Sequence, residues 1–123
     1  MAKIEALTFA IERTSFPGGH ICNVVYSYYL HTDAQQYQHG DTFSVMVELH
    51  GDDVIRDRSL GEKYYDSHVL EPGSPMPVER RFIVPCEVLD EALGTDHIYM
   101  KLLIKSSEGE LLAARSGTIV DRF

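Results

Sequence analysis

The chain has no tryptophan, only two cysteines, and no apolar run of the ~18 residues that a membrane-spanning helix needs. Two thiols, Cys22 and Cys86, are too few for a disulfide scaffold. Cys22 falls in a strand pattern and reads as a small buried hydrophobe. The amino-terminal stretch MAKIEALTFAIERT lacks the uninterrupted apolar segment of a cleaved signal, so a reducing cytoplasm is expected. Cations are scarce too: 11 Lys and Arg stand against 19 Asp and Glu, for a net charge of -8. Such an acidic chain repels nucleic-acid phosphates and anionic membranes, and no basic run along the sequence offsets it.

Catalytic signatures are missing as well. There is no Gly-x-Ser-x-Gly elbow, no His-Glu-x-x-His and no glycine loop built to cradle phosphate. Asp66-Ser67-His68 sets triad residue types side by side, but neighbours on a strand point to opposite faces. No cofactor is implied.

What the chain has in abundance is period-two alternation. A length of 123 residues corresponds to about one domain, 1–123, large enough for its own core. Strands are expected over Lys3–Arg13, with Leu7, Phe9 and Ile11 on one face, and over His20–His31. Phe16-Pro17-Gly18-Gly19 is the turn between them. The even positions of the second strand, Cys22 to Leu30, read as core, while its odd face still shows Ile21, Val25 and Tyr29. Thr32–Asp41 is too long for a hairpin loop and is expected to cross between sheets. Thr42–His50 alternates most cleanly, with Phe43, Val45, Val47 and Leu49 pointing inward. Val54-Ile55 and the stretch from Tyr64 to Leu70 carry weaker strand signals before the EPGSPMP loop at 71–77. Val78–Val84 follows, then Ile98–Ile104, and a last strand from Glu110 to about Val120, with Gly117 marking a bulge.

Between Val84 and Ile98 the pattern changes. Pro85 suits the first turn of a helix, Glu87, Asp90 and Glu91 suit its positive end, and Gly94 suits its termination. A strand, a short helical corner near 85–93 and a strand that opens on Tyr99 resemble the E–F corner of immunoglobulin-like sandwiches. The resemblance is architectural. The later strand has no cysteine for an inter-sheet disulfide, and Asp96 stands three residues before Tyr99, where antibody-type domains have four. The expected fold is therefore an all-β, antiparallel, immunoglobulin-like sandwich of about seven strands with one short helix.

Three functional readings follow. The first is a non-enzymatic binding or assembly module making protein–protein contacts or a homodimer. A sandwich layer covers one face of a strand, yet the second strand is apolar on both, so Ile21, Val25 and Tyr29, with Tyr64 and Tyr65, form its contact surface. The second is metal binding. His-Gly-Asp occurs at 39–41 and 50–52; lying about 36 Å apart on a strand, the two copies cannot share one ion. Were the second and third strands antiparallel neighbours, His31 would meet His39 and His20 would meet His50, with Asp33 or Asp52 nearby. A calcium loop from Asp52, Asp53 and Asp57 lacks the alternating spacing of an EF-hand. The third is sugar recognition by surface tyrosines.

Overall fold

The period-two pattern closes into two antiparallel sheets. The computed structural model describes residues 3–31, 42–52, 57–69, 76–89, 96–106 and 109–121. The elements are β1 (Lys3–Phe16), β2 (Gly19–His31), β3 (Thr42–Asp52), β4 (Asp57–Val69), β5 (Met76–Pro85), α1 (Cys86–Leu89), β6 (Asp96–Ser106), β7 (Leu111–Arg115) and β8 (Ile119–Asp121). One sheet has the order β1-β2-β5 and the other β4-β3-β6-β7, with β8 pairing β6 beyond the end of β7. The core lies between them. β2 buries Cys22, Val24, Tyr26, Tyr28 and Leu30; β3 buries Phe43, Val45, Val47 and Leu49; β6 buries Ile98, Met100, Leu102 and Ile104. Each large aliphatic side chain sealed this way contributes about 1.5–3 kcal/mol.

β1 and β2 form the expected hairpin, longer than the alternation alone indicated. Phe16 pairs with Gly19 across Pro17-Gly18, and Gly18 sits at φ 105°, a conformation an L side chain resists. Near its start β1 bulges. Ala6 takes φ 56° and the register slips between Glu5 and Thr8. The extra residue switches parity, so Ile4 joins Leu7, Phe9 and Ile11 against the core.

The corner after β5 does carry the chain from one sheet to the other, since β5 belongs to the three-stranded sheet and β6 to the other. Its described part is the four-residue α1, in which Leu89 is fully buried; residues 90–95 lie outside the description. The two cysteines, too few for a scaffold of disulfides, nevertheless form one such bond. Cys86, the first residue of α1, is disulfide-bonded to Cys22 on β2, with Cα atoms 5.1 Å apart. Register explains the contact: Cys22 pairs with Val84, so the chain needs only two more residues to bring Cys86 over it.

Two further differences concern the second sheet. The weakly patterned stretch after Gly51 forms β4, a strand of 13 residues whose pairing with β3 slips between Val47 and Leu49. Val54-Ile55 and the 32–41 connection lie outside the described residues, although the strands flanking that connection do belong to different sheets. The last strand is broken in two. Across the break Ser116 donates its N–H to the Met100 carbonyl at 3.0 Å. Its hydroxyl accepts from Met100 N–H at 2.9 Å and donates to the Gly117 carbonyl at 2.8 Å.

Candidate functional site

The structure divides the five expected contact residues among three places. Ile21, Val25 and Tyr29 share the outer face of the three-stranded sheet; the first two are half-buried and Tyr29 is exposed. Tyr64 points the other way, into the side of the sandwich, where its ring stacks on Phe82 at 4.7 Å between centroids. Tyr65, 68% exposed, stands on the outer face of the second sheet. The two exposed tyrosines among the described residues thus lie on different sheets, and Tyr26, Tyr28 and Tyr99 are buried. They do not make one platform for a sugar.

β2 and β3 belong to different sheets, so they are not the antiparallel neighbours that the histidine pairing presumed, and His20 and His50 do not meet across one ladder. His20 shares a 2.9 Å hydrogen bond with Ser15, and His31 is held by Glu5 at 2.8 Å. Glu5 is also met by Lys3 at 2.6 Å, and that hydrogen bond, with His31 behind it, keeps its carboxyl below the ordinary value. His50 lies on the outer face of the second sheet; His39 and the Asp33 side chain are outside the described residues, as is the side chain of Asp52. Among the described residues no three metal-ligating side chains converge.

The outer face of β4-β3-β6-β7 has the richest chemistry. Register builds it in rows. Tyr65, Met46, Leu103 and Ala113 lie side by side across the four strands, and Leu111 neighbours Lys105 in the row beyond. Of the eight large hydrophobic residues exposed among the described residues, five fall here: Tyr65, Val69, Leu103, Leu111 and Val120. Next to the apolar row runs a charged one. Lys63 reaches Glu48 at 3.3 Å, Glu48 pairs in register with Lys101, and Lys101 pairs with Arg115. A groove of about 430 Å³ follows the boundary, lined by Met46, Glu48, Lys101, Leu103, Ala113 and Arg115 among others.

One end of this face is anchored by stacked rings. Tyr99, fully buried although it points away from the core, lies 5.2 Å from the His50 ring at 19°. The Arg115 guanidinium sits 3.6 Å above the Tyr99 centroid, within the range of a cation–π contact. His50 Nε2–H donates to Glu48 at 2.7 Å. This bond, then Lys63, holds the Glu48 carboxyl below its ordinary value, against the opposing pull of partial burial. A guanidinium offers a planar fork of donors whose geometry suits carboxylates.

Charge on this face runs against the rest of the chain. Its described side chains include four cations, Lys63, Lys101, Lys105 and Arg115, and one carboxylate, Glu48, in a protein of net charge -8. The sequence shows no basic cluster because these residues come from three strands spread over more than fifty positions. The only local hint was Lys101-x-Leu103-x-Lys105, an outward set of one apolar and two basic residues.

The sequence matches no known protein family and no curated protein. Among the described residues no helix is long and apolar enough to cross a membrane.

Proposed function

We propose that this protein is a non-enzymatic binding module whose outer β4-β3-β6-β7 face docks an acidic, partly apolar surface of a partner protein. The observation that supports this reading most directly is the coincidence, on one face, of most of the exposed large hydrophobics with a local excess of cations. Exposed apolar surface flanked by polar groups is the usual mark of a contact site. Self-association through this face would bring like charges together, so the partner is a different protein. Leu103→Glu and Lys101→Glu, both at exposed positions, test it. Cross-linking and mass spectrometry in the source cells nominate the partner, and titration calorimetry with the purified pair measures it. Each substitution is expected to weaken binding at least tenfold; equal affinity for the substituted proteins refutes the reading.

A second contact surface, for homodimer formation, is supported by β2. That strand carries no Asp, Glu, Lys or Arg, and its Ile21, Val25 and Tyr29 line the outer face of the other sheet. Sedimentation at rising concentration tests it; a monomer throughout ends the idea.

The strand order favours placing the fold with immunoglobulin-like sandwiches. Lettering the strands in chain order as A, B, C, C′, E, F and G gives A-B-E against C′-C-F-G, which shares with the variable type a C′ beside C but has no C″ or D strand among the described residues. A cytoplasmic location has to accommodate the Cys22–Cys86 bond, because structural disulfides persist in oxidising compartments and are rare where glutathione keeps thiols reduced. Thiol trapping of protein taken directly from cells decides between the two settings.

A further inference from the structure

We propose that the free edge of β5 accepts an extended segment of a partner protein, apolar and acidic in composition, as an additional strand. β5 is an edge strand, laddered to β2 and to no other described strand, and its sheet is one strand narrower than the sheet it covers. β1, the opposite edge, approaches β7. On the β5 side a cavity of about 790 Å³ remains, lined from β4 by Lys63 and Tyr64, from β5 by Phe82 and Val84 and from α1 by Val88.

Register settles which backbone groups point there. Phe16 and Gly19 close a two-residue turn, so they form a hydrogen-bonded pair. Bonded pairs alternate along a ladder, so the odd residues of β2 bond to β1 and its even residues bond to β5. The even residues of β5 are therefore engaged, and the N–H and C=O groups of Glu79, Arg81 and Ile83 face the open edge, where the Glu79 carbonyl accepts from the Arg80 guanidinium at 2.9 Å and an incoming strand would compete with that contact. The prolines agree: Pro77 and Pro85, which have no N–H to give, both fall in the odd set and bracket those three residues. Such an edge is a template for strand addition. The cavity supplies selectivity. Its walls are Tyr64, Phe82, Val84 and Val88, its charged lining residues are Lys63 and Arg81, and no carboxylate lines it among the described residues. An incoming strand with apolar and acidic side chains fits that lining, whereas a second copy of this chain brings a net charge of -8 against a chain of the same charge.

The test uses the full chain and a synthetic nonapeptide alternating valine and glutamate, with amide hydrogen exchange read residue by residue. In the free protein the amides of Glu79, Arg81 and Ile83 are expected to exchange quickly and those of Val78, Arg80 and Phe82 slowly. The peptide is expected to slow the first three at least tenfold. Replacing glutamate by lysine, or N-methylating the peptide on the edge facing β5, is expected to weaken binding tenfold or more. Arg81→Glu, at an exposed position, is expected to reverse the charge preference. Slow exchange at the three amides in dilute free protein, protection that grows with protein concentration alone, or absence of peptide-induced protection would each overturn the proposal. Protection at β6 and β7 instead would report the other face, so failure here is distinguishable from failure of the function proposed above.

Discussion

Two buried hydroxyl groups in this protein make opposite predictions for the same chemical change. Tyr26 is 1% exposed on the inner face of β2, stacked on Tyr28 and edge-on to Phe82. Its hydroxyl has no hydrogen-bond partner among the described residues. Burial, with a smaller contribution from Asp66, pushes its pKa well above the ordinary tyrosine value, so the group stays protonated and neutral. A lost hydration shell without a replacement bond costs about 1–3 kcal/mol. Tyr26→Phe keeps the ring and deletes the oxygen, so we expect it to stabilise the fold by about 1 kcal/mol or more. For a domain of this size that is a rise in Tm of roughly 4 °C.

Ser116→Ala also deletes one buried hydroxyl, but here the oxygen both accepts from Met100 N–H and donates to the Gly117 carbonyl. Its removal strands a backbone donor between β6 and the β7–β8 break, and we expect a loss of about 1–3 kcal/mol. Urea unfolding followed by circular dichroism, with midpoints compared at an unchanged slope, measures both. A destabilised Tyr26→Phe would mean that the hydroxyl has a partner in the folded state and would refute the reasoning; Ser116→Ala at wild-type stability would refute the other half.

Removing the Cys22–Cys86 bond with paired alanine substitutions is expected to cost about 4 kcal/mol, the loop-entropy value for a sequence separation of 64; coincident denaturation curves with and without the bond would show that it does not form. Glu48→Gln should destabilise by about 0.5–1 kcal/mol at neutral pH. The Glu48 carboxyl is lowered in the folded state, so its contribution is present above the unfolded value of about 4.3 and fades as pH falls through the folded value; the deficit of the variant should vanish in acid, as read by urea midpoints against pH. Gly18→Ala places a side chain at φ 105° in open space, where nothing but backbone strain opposes it, and should cost about 1 kcal/mol in the same assay.

Much of the fold was legible because burial imposes a period. The inward sets of β2, β3 and β6 are those the alternation gives, and the corner after Pro85 announced itself by breaking it. β4 was faint for two physical reasons. Its pairing is interrupted opposite Glu48, where three residues of β4 face one of β3, and its inward row includes Asp66, a polar residue tolerated there because Arg80 of β5 meets it at 3.0 Å across the sheets. Alternation also tells which face a residue occupies, never which strand lies beside it. The pairing of histidines went astray at that step, since it took β2 and β3 as neighbours and they lie in different sheets. The cationic face and the disulfide were hidden for a related reason: Lys63, Lys101 and Arg115, like Cys22 and Cys86, meet only through pairings that no local spacing records.

The bond between Cys22 and Cys86 also gives the polypeptide the connectivity of a lasso. The segment from Cys22 to Cys86 is a covalent ring containing all of β3 and β4, with residues 1–21 and 87–123 as two tails. A protease cut anywhere in that ring opens it without releasing either half, so a nicked molecule migrates as intact until a reductant is added. A cut in a tail frees a fragment at once under denaturing conditions.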